Sequence, residues 1–162
     1  MRDAREGELI EIHGSVQASP QTMRAPVSGV VCAKWDLYVE EQERQHDNRY
    51  WKLLLHAESG CDFFVDDDSG RARILGAKVE LRGRGQWQHL LTETLRDFLA
   101  ARGYATTDGM RWRESLLRNG DRVTVTGIAR WERDESGSGT GYRNLGRRLV
   151  IDAPDVGWIK VH

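Results

Sequence analysis

The sequence predicts a mostly β protein: a small OB-like β-barrel with an inserted long hairpin and one helix before the last two strands. Three observations predict it. Apolar residues recur at every second position through most of the 162 residues, as in strands with one buried face. The strand-like runs pair around polar or glycine-containing breaks. One segment keeps a helical beat, and it falls between the third and fourth barrel strands, which is the layout of an OB-fold. Small β-sandwiches share the strand signals.

The first strand is "GELIEIHGSV", with Ile10, Ile12 and Val16 on one face and Glu11 and His13 on the other. "VVCAKWDLYVEE" alternates most clearly: Val31, Ala33, Trp35, Leu37 and Val39 face one way, Lys34, Asp36, Tyr38 and Glu40 the other. "YWKLLLHAES" follows the polar break "QERQHDNR", giving a long hairpin from Val30 to Glu58 that is expected to protrude from the barrel. "CDFFVDD" and "RARIL" form a tighter hairpin. From Gln86 to Arg102, Trp87, Leu90, Leu91, Leu95, Phe98 and Leu99 make one apolar helical stripe, and Gly103 supplies a C-terminal cap. "RESLL" reads as a second short helical turn before "NGD". "DRVTVTGIARW" and "RRLVIDA", joined by "ERDESGSGTGYRN", complete the barrel.

The chain fits one domain over residues 1–162, long enough to bury a core without staples. Twenty-four basic residues against twenty-five acidic ones leave a net charge of -1. That argues against nucleic acid as the partner, because such affinity rests on a basic footprint. Basic residues do gather in "RARILGAKVELRGRG", but Asp66, Asp67 and Asp68 stand beside them. Cys32 and Cys61 are too few for a disulfide framework and form no CxxC pair. Buried free thiols fit their apolar surroundings, and a single disulfide stays open. The charged start "MRDAREGELIEI" lacks the apolar core of a signal peptide, and no apolar run reaches membrane-spanning length.

Chemistry-bearing motifs are scarce. "FFVDDDSGRARI" reads as an exposed hairpin turn: Asp bonds its own backbone and Gly accepts positive φ, while no glutamate closes a calcium loop. The five histidines show no zinc spacing. "GSGTG" at 137–141 lacks the P-loop lysine and suits a hairpin tip. "VEEQE" at 39–43 suits a solvated hairpin end. Six tryptophans are many for this length. Most suit the core, though barrel aromatics can also stack bases or anchor a protein.

Several phrases in order resemble the GIDE-type domain, the β-rich region of the mitochondrial membrane-anchored RING ubiquitin ligase and of many bacterial proteins. They are "APVSGVVCAKWDLYVEE", Trp51, "FFVDDDSGRARI" and "RWRESLLRNGDRVTVTGIA", the last carrying Glu114, Gly120, Asp121, Val123, Val125 and Gly127. The resemblance covers residues 14–130. It implies a sensing or protein-interaction module without catalytic residues, set in family members beside membrane-spanning helices. The RING cysteines are missing, so ligase activity is not carried over, and the helical segment 86–102 has no counterpart in the family.

The expectation is a non-enzymatic binding module with a protein partner, without catalytic, metal or cofactor residues. It would be cytoplasmic, or membrane-associated through a segment or partner outside this chain. The alternative is a single-stranded nucleic-acid-binding OB-fold; a hydrolase reading has no motif behind it. Tyr38, Arg49, Tyr50 and Trp51 on the long hairpin are the candidate interaction residues.

Overall fold

The computed structural model describes residues 4–46, 48–76, 79–82, 85–133, 147–152 and 157–162. In chain order the elements begin with β1 (Leu9–Ala18), β2 (Met23–Arg24), β3 (Val31–Cys32), β4 (Lys34–Gln45), β5 (Asn48–Gly60), β6 (Phe63–Asp67) and β7 (Gly70–Ile74). There follow β8 (Glu80–Arg82), α1 (Glu93–Ala100), β9 (Met110–Leu117), β10 (Arg122–Arg133), β11 (Arg147–Asp152) and β12 (Trp158–Val161).

Five strands close into a barrel in the order β1-β6-β7-β11-β10 and back to β1. All pairings in the ring are antiparallel except β7 with β11, which run parallel from Leu149 opposite Ala72 to Ile151 opposite Ile74. Numbered within the barrel this is 1-2-3-5-4, the OB-like barrel expected from the sequence, with α1 ahead of its last two strands. β12 continues the sheet beside β10, and β8 runs parallel to β12.

The alternation dictates the core. Ile12, Val16, Phe63, Val65, Val125 and Ile151 point inward and are almost wholly buried, each contributing about 1.5–3 kcal/mol by leaving water. β1 changes partner near Gly14, which lies opposite Val123 of β10 while Ser15 already faces Asp66 of β6. A Cβ on Gly14 would stand 2.7 Å from Val65 Cγ1 and closer still to the Asp66 carbonyl oxygen. Only glycine fits this corner.

The inserted hairpin does more than protrude. β4 pairs with β5 along its length and with β9 from Lys34–Leu117 to Glu41–Met110, giving a second sheet in the order β5-β4-β9. Only the hairpin end beyond Gln42 runs past β9. One face of this sheet carries a second core in which Leu95 and Leu99 of α1 pack with Leu37, Val39 and Met110. Three consecutive leucines in "KLLLH" are accommodated by a bulge: Val39 pairs with Leu55, Glu40 with Leu53, and Leu54 is the extra residue. Leu54 and Leu55 therefore both pack on the helix side.

Two expected helical features are corrected. The helix spans Glu93–Ala100 rather than 86–102, capped by Thr92, whose side chain accepts from the Leu95 amide at 3.2 Å. Trp87 and Leu90 share its spacing by coincidence, because Gln88 bridges Trp112 in extended form. Gly103 ends the helix at φ +81° as expected, with the Tyr104 amide donating to Leu99. "RESLL" is no helical turn; it lies in β9, where pairing with β4 overrides helix propensity. The loop containing "GSGTG" lies outside the described residues.

Cys32 and Cys61 are free thiols. Burial, then the Glu114 charge, pushes the Cys32 thiol up to about 11, and Cys61 is also raised by burial while remaining partly accessible. Iodoacetamide reacts with the thiolate, which is scarce on both groups at pH 8 and rises with pH. In the native chain Cys61 is expected to label first and Cys32 only on unfolding. Mass spectrometry showing equal, fast labelling of both would contradict this.

Candidate binding face and pocket

Alternation along β9 sends Met110 and Trp112 toward the helix-side core and Arg111, Arg113 and Ser115 to the opposite face. The segment before α1 crosses that face. A Cβ on Gly85 would stand 2.7 Å from Ser115 Oγ, so glycine permits the close crossing that brings Trp87 over β9. Gln88 holds the crossing in place by reciprocal backbone bonds with Trp112 at 2.8 and 2.9 Å.

The result is a continuous arginine–aromatic column. Arg111 lies 4.2 Å from the Trp51 ring and 4.3 Å from the Trp87 ring. Arg113 lies 4.9 Å from Trp87 and 4.8 Å from Tyr38. His56 stacks on Tyr38 with ring centres 4.2 Å apart, and His89 tilts against Trp51 at 5.8 Å. Each cation–π contact is worth about 0.5–2 kcal/mol, more when desolvated. Arg111 is also neutralised by Glu40, its Nε donating at 2.7 Å. Arg113 Nε is buried with no hydrogen-bond partner.

Below the column sits a hydrogen-bonded polar cluster. Lys34, 1% exposed, donates from Nζ to Glu58 at 2.8 Å, and Asp36, 2% exposed, lies 2.7 Å from His56 Nε2. Burial raises the Asp36 carboxyl above its ordinary range, opposed by the His56 hydrogen bond. The expected outward face of β4 is therefore largely buried. Atoms of Asp36, His56 and Glu58 lie within 4.8 Å of one another, a spacing a divalent cation can span. Lys34 already pairs with Glu58 and His56 hydrogen-bonds Asp36, so both carboxylates of the cluster have protein partners. The sequence contains its signal: Lys34 and Asp36 on one strand oppose Gly60 and Glu58 on the next.

At the inner end of the column is a pocket of about 430 Å³ between the two sheets. Tyr38, Arg113 and Ser115 form one wall; Glu80, Arg82, Trp158 and Lys160 form the other. Burial, then the Asp36 charge, raises the Tyr38 hydroxyl.

The four candidate residues from the sequence part company. Tyr38 and Trp51 lie in the column, and both faces of the Tyr38 ring are covered. Tyr50 is 42% exposed and donates to Glu43 at 2.6 Å. Arg49 is exposed near the tip, opposite Arg44. Trp87, Arg111 and Arg113 were not singled out. The "DDDSG" segment is a turn: Asp67 Oδ1 accepts from the Ser69 and Gly70 amides at 2.7 and 2.8 Å, and Asp66 pairs with Arg71 at 2.6 Å.

Comparison with known proteins adds no relative: no family model matches this chain, and neither a curated protein nor a solved structure matches it significantly.

Proposed function

We propose that this chain is a non-enzymatic binding module that recognises a protein partner at the outer end of the arginine–aromatic face. One observation carries the reading: Leu53 is 52% exposed and Leu90 80% exposed, on the same side of the hairpin as Trp51 or adjoining His89 at the sheet margin. Exposed apolar groups beside aromatic and arginine anchors are what protein interfaces use. Arg49, two residues before Trp51, would supply the polar rim.

Nucleic acid is the second reading, because alternating aromatics and arginines can serve as a stacking platform. The column disfavours it. Its guanidiniums occupy ring faces that bases would need, and Arg111, Arg71 and Arg73 pair with Glu40, Asp66 and Asp62. The resemblance to the GIDE-type domain also points to an interaction module. Among the described residues no helix is long and apolar enough to cross a membrane.

The test is a photo-crosslinking amino acid placed at position 53, 90 or 122 of the chain in its native extract. Positions 53 and 90 are expected to give one discrete protein adduct, weakened by Arg49→Ala with Tyr50→Ala. Adducts from barrel position 122 alone would place the binding face elsewhere.

A further inference from the structure

We infer that the pocket between the two sheets is a binding site for a small phosphate monoester. This inference is independent of the protein-docking reading, which concerns the other end of the column.

On the parallel strands β8 and β12, Arg82 lies opposite Lys160 and Glu80 opposite Trp158. Two cations are thus held side by side on neighbouring strands, an arrangement that costs stability unless an anion lies between them. Alternation turns all four side chains away from the barrel core, where Leu81 and Ile159 are buried, and into the pocket facing Arg113.

Carboxylates in the lining leave this charge largely unmet. Arg82 reaches Glu80 only at 3.4 Å. Among the described residues, neither Arg113 nor Lys160 has an ion-pair partner. Three cations against Glu80 leave the lining at +2, in a chain whose net charge is -1. A phosphate monoester carries about −1.5 to −2 at neutral pH and offers three acceptor oxygens; one carboxylate would leave a cation unmatched. Arginine forks and a lysine point charge are the groups that hold phosphate.

The rest of the lining selects the size and kind of molecule. A volume of about 430 Å³ falls within the range of ~300–1,000 Å³ that small-molecule pockets show. Ser115 is 5% exposed and adds a hydroxyl to the wall. Arg82 lies 5.2 Å from the Trp158 ring, so phosphate and an apolar or ring-bearing remainder would meet neighbouring groups. Opposite, Arg113 is held in place by Tyr38 and Trp87, which lowers the entropy lost on binding.

The probes are phenyl phosphate, inorganic phosphate and benzoate, each titrated by calorimetry into the full chain against sodium chloride of matched ionic strength. Phenyl phosphate is expected to bind saturably and more tightly than the other two. Inorganic phosphate binding as tightly as phenyl phosphate would overturn the monoester assignment. Lys160→Gln and Arg82→Gln, both at exposed positions, are each expected to weaken binding about ten-fold, the scale of one lost charged hydrogen bond. Arg122→Gln, outside the pocket, should leave it unchanged. Absence of saturable binding to phenyl phosphate, or binding that both pocket substitutions leave intact, would overturn the proposal. A positive result here alongside no crosslink at position 53 would refute only the docking reading.

Discussion

Leu99→Ala is expected to destabilise the chain by about 2–5 kcal/mol, the range for deleting a fully buried leucine side chain. Leu99 is 0% exposed and packs in the second core with Leu37, Val39 and Met110. α1 has only eight residues, too few to hold helical structure in water without a packed face. The cavity would therefore lie under an element that depends on that packing, which favours the upper part of the range. Urea denaturation followed by tryptophan fluorescence and by circular dichroism measures it. A loss below about 1 kcal/mol would mean that α1 is not docked on the three-stranded sheet.

Trp87→Ala is expected to cost about 3 kcal/mol, the lower end of the range for a core aromatic because Trp87 is half-buried. Trp87 separates Arg111 and Arg113, and its ring meets both guanidiniums. Its removal exposes two cations to each other's charge and leaves Arg113, whose Nε has no hydrogen-bond partner, with Tyr38 alone. Trp87→Phe keeps a ring and should recover part of the loss. A double-mutant cycle of Trp87→Ala with Arg113→Ala is expected to show coupling of about 0.5–2 kcal/mol. Additive losses would mean that the rings and guanidiniums are neighbours without energetic connection.

The barrel was legible because its strands carry buried apolar residues at alternate positions, although β11 is buried on both faces from Leu149 to Asp152. Ile12 and Val16, Phe63 and Val65, Ala72 and Ile74, Val123 and Val125 all alternate in sequence and are all buried. β4 was legible as a strand but misleading as a surface. Its polar side, with Lys34 and Asp36, is buried because that face of β4 turns toward β8 and β12 of the other sheet. Only the packed half of the expected helix, around Leu95 and Leu99, is helical; Trp87 satisfies the same spacing while belonging to an extended crossing. The column was the least legible part. Period two says which side of a strand a residue takes, but not which side chain from another strand will meet it. Arg111 and Arg113 meet Trp51, Trp87 and Tyr38 only through the register of β4, β5 and β9 and the close approach at Gly85.

This face, with its column arginines engaged by rings and Glu40, is proposed to recognise protein rather than nucleic acid. Fluorescence anisotropy of a labelled oligo-dT, titrated with the full chain at low and then at higher salt, tests it most directly. With a net charge of -1 and the column arginines stacked, little counterion release is left to drive association. An oligo-dT without a terminal phosphate is expected to show no saturable binding at either salt concentration. Tight binding at low salt that falls steeply as salt rises would contradict the proposal.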